Sequence, residues 1–159
     1  MKTTQKTYLR ALGMGTVAGM RAVVAPALLS HFLVKSPAGE LNFSRLHYLQ
    51  LPKVALGLKL AAGAELVGDK LPNTPDRTIA PQLSFRVLSG AVVGATLALA
   101  NKQSTITGAL IGGAAAAASS FLFYFLRKEL VNTTGLPDAS IAVLEDTLAV
   151  AGGYFIAKG

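Results

Sequence analysis

Five apolar runs, at about residues 8–34, 54–71, 81–100, 105–126 and 139–157, decide what this chain can fold into. Each approaches the length an α-helix needs to cross a hydrocarbon core, about 20 residues at roughly 1.5 Å rise apiece. In lipid such a run must be helical, because a helix satisfies its backbone N–H and C=O groups within itself. Composition agrees: 52% of the 159 residues are hydrophobic and 14% are charged, against about 25% charged in soluble domains. So short a chain would expose too much surface in water for so few charges to cover. The expectation is an all-α membrane bundle of about five transmembrane helices, one integral-membrane domain over residues 1–159.

Lys2, Lys6 and Arg10 precede the first run as they would in a signal peptide. The run continues past signal-peptide length, however, so an uncleaved first span is expected. The net charge of +7 does not point to nucleic acid. Lys and Arg stand singly at the ends of apolar runs, not clustered on a face with aromatic platforms. They read as membrane-flanking charge, making the lipid bilayer the expected partner. With no Cys, disulfides and thiolate metal sites are excluded. His31 and His47 have no third ligand at metal spacing, and no nucleophile elbow or phosphate-cradling loop occurs. No cofactor is implied and an enzyme is not expected.

The connections carry further information. Residues 36–52 interleave Leu41, Phe43, Leu46, Tyr48 and Leu49 with Arg45, His47 and Gln50. They read either as a short interfacial helix with aromatics at headgroup level or as a solvated loop. Residues 72–81 hold three prolines, which separate the second and third spans; Thr74-Pro75-Asp76 reads as the start of a short helical turn. Residues 101–104 form a tight turn, and Gly135 with Pro137 marks a stop and a fresh start. Five spans would put eight basic residues on the N-terminal side (Lys2, Lys6, Arg10, Lys70, Arg77, Arg86, Arg127, Lys128) and six on the other. That bias favours a cytoplasmic N-terminus. Spans one and two, like four and five, pair a Gly-rich helix with an acid-bearing one, a pattern that suggests inverted two-helix repeats.

Acids inside two of the spans are the functional clue. Glu65 and Asp69 share one helix face, and Glu145 and Asp146 lie in the second turn of the last span or deeper. Each ionised side chain at the centre of a span costs about 2.5–3.5 kcal/mol, while Leu or Val recovers about 0.3–0.6. A proton, a cation or a basic side chain must therefore neutralise them. Asp69 and Asp138 have helix-end explanations; Glu65 and Glu145 do not. Arg21, mid-way along the first run, is the expected partner of Glu65 and the only basic residue deep enough to meet these acids unaided. One cation for two or more acids leaves a deficit that a bound proton or cation would fill. Lys70, Arg77 and Arg86 are expected near an interface, within reach of acids or of a phosphate or lipid headgroup. Small-xxx-small faces at Gly15/Gly19, Gly90/Gly94 and Gly108/Gly112 predict close helix packing, within the chain or between protomers of a homo-oligomer.

Gly19-Met20-Arg21 with Pro26, the run from Glu65 to Pro72, Pro75 with Arg77, and Leu136-Pro137-Asp138 with Glu145-Asp146 together resemble a family of small bacterial membrane proteins. That family is defined only as a domain of unknown function. The resemblance implies a bacterial inner-membrane protein and brings no activity or substrate. Three readings follow. The first is a transporter or channel-like protein with an intramembrane site for a proton, cation or small solute, formed by Arg21, Glu65, Asp69, Glu145 and Asp146. The second is a non-transporting scaffold whose charges bridge helices. The third is a lipid-headgroup enzyme, in which Lys70, Arg77 and an acid converge.

Overall fold

The computed structural model describes residues 3–68, 80–135 and 137–159. Among these are six α-helices: α1 Thr3–Met20, α2 Val24–Lys35, α3 Pro52–Gly68, α4 Ala80–Ala100, α5 Thr105–Thr134 and α6 Asp138–Lys158. Two short 3-10 turns, Gly39–Phe43 and Arg45–Gln50, lie between α2 and α3, and no strand occurs among the described residues. The chain is an all-helical membrane bundle: α4, α5 and α6 are each long and apolar enough to cross a bilayer.

Local chemistry sets the helix ends. Ser104 caps α5 by accepting from the Thr107 amide, and Gly135, in the left-handed region at φ 65°, closes its far end onto the Val131 carbonyl. Only glycine takes that conformation without a Cβ penalty. Helix α5 thus runs eight residues past the span expected to end at 126. Helix α6 starts at Asp138, immediately after Pro137, with the acid on the positive end of the helix dipole.

The first apolar run, expected as one span, is two helices. It breaks at residues 21–23, and α2 folds back along α1 as the second arm of a hairpin. Three sets of contacts fix that direction. Helix α6 runs antiparallel to α1, since Asp146 meets Arg21 while Arg10 donates to the carbonyls of Ile156 and Ala157 at 3.0 and 2.8 Å. Helix α2 runs parallel to α6: Leu28 and Val17 both crowd Gly153, and the Phe32 and Tyr154 rings meet at 5.2 Å. Helix α3 then returns along α2, with the Leu49 carbonyl on Ser30 and Glu65 on Ala22 and Val23. One end of the bundle therefore holds the N-terminal end of α1, the C-terminal end of α6, the 3-10 turns and the α4–α5 turn. The hairpin points toward the other end. At roughly 1.5 Å per residue, its tip lies roughly 9 Å inside the start of α4, judged at Arg86, and roughly 12 Å inside the start of α6, judged at Asp146.

Helices α1, α4 and α5 form the tightest part of the bundle. A Cβ at Gly94 would overlap the Gly108 carbonyl oxygen, and one at Gly112 would overlap that of Gly90. A Cβ at Gly15 would in turn strike the backbone of Gly112. These glycine faces are used within the chain, and they hold α4 antiparallel and α1 parallel to α5. The two helix pairs expected to be related by inversion differ in form, because α5 is unbroken where α1 and α2 turn back.

Candidate functional site at the hairpin tip

Turning a helix back inside a bundle strands backbone groups, and each one left unsatisfied away from water costs several kcal/mol. The last bond of α1 runs from the Arg21 amide to the Val17 carbonyl, and the first across α2 from the Ala27 amide to the Val23 carbonyl. Side chains from three other helices take up what lies between. Glu65 of α3 accepts from the amides of Ala22 and Val23, one carboxylate oxygen each, at 2.7 and 2.8 Å. Arg86 of α4, 2% exposed, donates through Nη1 to the Gly19 and Met20 carbonyls at 3.1 and 2.7 Å. Ser120 of α5 adds a second donor to Gly19 at 3.2 Å. Ser89 of α4 donates to the Ala22 carbonyl.

The last contact has a sequence cause. Pro26 is the third residue of α2, and its ring nitrogen has no proton for the carbonyl four residues earlier, that of Ala22. Ser89 supplies the donor that Pro26 cannot. Polarity is matched as well. The C-terminal end of α1, the negative pole of its dipole, meets a guanidinium, and the N-terminal end of α2, the positive pole, meets a carboxylate.

Arg21 leaves the tip toward α6. Its side chain is fully buried, and Nε donates to Asp146 Oδ1 at 2.5 Å. Asp146 also borders a shallow groove on α6 with Thr147, Val150, Ala151, Tyr154 and Phe155. Its neighbour Glu145, buried too, lies 4.0 Å from Arg127 of α5, which grips Asp138 with two bonds of 2.7 and 2.5 Å. Ionisable side chains thus run from Asp138 at the surface, through Arg127 and Glu145, to the Asp146–Arg21 pair at the tip.

Several expectations change. Arg21 pairs with Asp146 and not with Glu65, because the hairpin presents its backbone amides to α3 and its guanidinium to α6. Arg86 does not lie at an interface on a phosphate or lipid headgroup; it is buried on the end of α1. Arg21 is therefore not the only deep cation, and the expected charge deficit loses its arithmetic. Asp138, read as a helix-end acid, does lie in the first turn of α6 and is also bridged to Arg127. Glu145 and Asp146 are buried as expected. Asp69, Lys70, Arg77 and the Thr74-Pro75-Asp76 turn lie outside the described residues. Sequence reasoning overlooked Ser89, Ser120 and the turn itself. Pro26, with Gly19-Met20-Arg21 before it, was the available signal, since proline inside a helical pattern marks an end or a kink.

The model of a family described as a domain of unknown function (DUF4126) matches residues 9–158. The chain belongs to that family. The match takes in every residue of the tip, from Gly19 on α1 to Asp146 on α6. No curated protein and no solved structure matches the chain.

Proposed function

We propose that the protein is a small transporter or channel-like membrane protein, without enzymatic activity, whose working site is the hairpin tip with Glu65, Arg21 and Asp146. Its cargo or coupling species would be a proton, a cation or a small cationic solute. The observation that carries this reading is a carboxylate closed over two backbone amides at a break inside the bundle. Interrupted helices with charged groups at their ends are how many transporters build a site away from both membrane surfaces, and ionisable residues at such depth mark ion and proton pathways. Asp146, on the edge of the α6 groove, would be the member of the pair nearest to exchange.

The test is flux into proteoliposomes, followed with an internal pH dye and with cation-sensitive dyes. Wild-type protein is expected to dissipate an imposed proton or cation gradient, and Glu65→Gln and Asp146→Asn to slow it at least tenfold. Equal flux in all three would sink the assignment. A specific observation also favours the scaffold reading: Glu65 and the Arg21–Asp146 pair are already matched. On that reading wild-type vesicles are as tight as empty ones, and the exchanged pair Arg21→Asp with Asp146→Arg still folds.

We also propose a cell inner (plasma) membrane location with both termini cytoplasmic. Among the described residues Lys6, Arg10, Lys35, Arg45, Lys53, Lys102 and Lys158, seven in all, stand at the end that carries the termini, against Arg127 and Lys128 at the other. Positive charge gathers on the cytoplasmic side.

A further inference from the structure

The connection between α2 and α3 is a folded plate over the end of the bundle that carries the termini. Leu41 and Leu49 anchor it from below, at 0% and 9% exposure. The Ala38 amide donates to Gln50 Oε1 at 2.6 Å, Gln50 Nε2 to Asn42 Oδ1 at 3.3 Å, and Ser30 holds the Leu49 carbonyl at 2.6 Å. This fixed plate turns its largest apolar groups outward. Phe43 is 98% exposed, and Tyr48 and Leu51 are more than a third exposed. Exposed cations adjoin them in the chain, Arg45 two residues after Phe43 and Lys53 two after Leu51, with Lys35 at the end of α2, while the acid of the plate, Glu40, is bridged to Lys102 at 3.1 Å.

A ring held this fully out of the protein on a rigid turn belongs where apolar surface is welcome. At the rim of a membrane bundle that place is the boundary between headgroups and acyl chains. Exposed cations that flank a membrane-inserted ring in the chain then come level with the phosphates of the same leaflet. From this juxtaposition we infer that the plate is a binding surface for anionic phospholipid, with Phe43 inserted below the headgroups and Arg45 and Lys53 holding the headgroup charge. The inference does not depend on the transport reading, and it assigns lipid contact to residues other than Lys70, Arg77 and Arg86.

The chain contains no Trp, so Phe43→Trp installs a single reporter at an exposed position where folding is not at stake. The variant is reconstituted in vesicles of zwitterionic lipid containing a fixed minor fraction of anionic lipid, with bromine on the acyl chains of one class or the other. The expected result is a blue-shifted emission that shallow bromines quench more than deep ones. Brominated anionic lipid should quench as if enriched about fivefold over its bulk fraction, the scale of one fixed cation near a charged surface. Adding Arg45→Gln and Lys53→Gln should bring that enrichment to about onefold and leave the depth unchanged. Water-like, unquenched emission would overturn the proposal by placing Phe43 outside the membrane. Quenching by each lipid class in proportion to its bulk fraction in the parent variant would overturn it by leaving an aromatic anchor with no lipid preference.

Discussion

Glu65→Gln puts the central contact of the tip to a quantitative test. The wild-type carboxylate gives one oxygen to the Ala22 amide and the other to the Val23 amide, at 2.7 and 2.8 Å. A carboxamide keeps one acceptor and sets an NH2 group against the second amide, donor facing donor. One hydrogen bond to a charged group is then lost, worth about 1.5–3 kcal/mol, and the other falls to a neutral bond of about 0.5–1.5 kcal/mol. The expected cost is about 2–4 kcal/mol, and Glu65→Ala, which strands both amides, should cost more. Hydrogen exchange in nanodiscs, read on a peptide covering residues 18–26, reports the cost where it arises. Exchange at Ala22 and Val23 should quicken about 30-fold or more in Glu65→Gln, the equivalent of about 2 kcal/mol. Glu40→Gln is the control, since the partly exposed Glu40–Lys102 bridge should be worth less than about 1 kcal/mol. Unchanged exchange at the tip in both Glu65→Gln and Glu65→Ala would refute the assignment of Glu65 as the acceptor that closes the break.

Arg21→Met should destabilise the bundle by about 3–5 kcal/mol in a denaturant titration, because it strips the bridge from a buried Asp146, and Arg21→Met with Asp146→Leu should recover much of the loss. Gly94→Ala should lower the melting temperature, at about 1–3 kcal/mol or more, since the obstruction is the Gly108 backbone and not a movable side chain. Gly57→Ala and Gly63→Ala on α3, where a Cβ meets nothing within 4 Å, should be neutral or stabilising by up to about 1 kcal/mol. A fluorescent protein at either terminus should be bright in the cytoplasm and a phosphatase at either terminus inactive; an active phosphatase at the C-terminus alone would restore the odd number of crossings.

Helix was legible wherever an apolar run had to satisfy its own backbone, and so were the ends of α4 and α6, where punctuation is local. The burial of Glu145 and Asp146 was legible from their distance to Pro137. The hairpin was not, because apolar content over residues 8–34 says nothing of direction. A run that crosses once and a run that turns back have the same hydropathy. What separates them is Pro26, which leaves the Ala22 carbonyl without its helical donor, and Arg21, a charge that a simple crossing would hold deep in the membrane. Partner choice followed the same logic. Arg21–Glu65 was the natural pairing on depth alone, but a turn exposes amides, and an amide pair takes a carboxylate as readily as a guanidinium does.

The tip cannot be completed by α1 and α2 alone. Glu65 comes from α3, Arg86 and Ser89 from α4, Ser120 from α5, and Asp146 receives Arg21 on α6. Each remaining helix of the bundle thus supplies a side chain to one turn, so the turn is stable only when all of them are docked. Any working movement must respect the same accounting. If Glu65 swings away as a carboxylate, it strands two amides and a charge at once, a cost of several kcal/mol. A proton on Glu65 lowers that barrier, because the protonated acid no longer offers two charged acceptors to the tip and leaves no charge behind. Among the described interactions that hold the hairpin, this is the one that a single proton would loosen without breaking the Arg21–Asp146 pair or uncapping α1, so on the transport reading proposed above a coupled step would begin at Glu65.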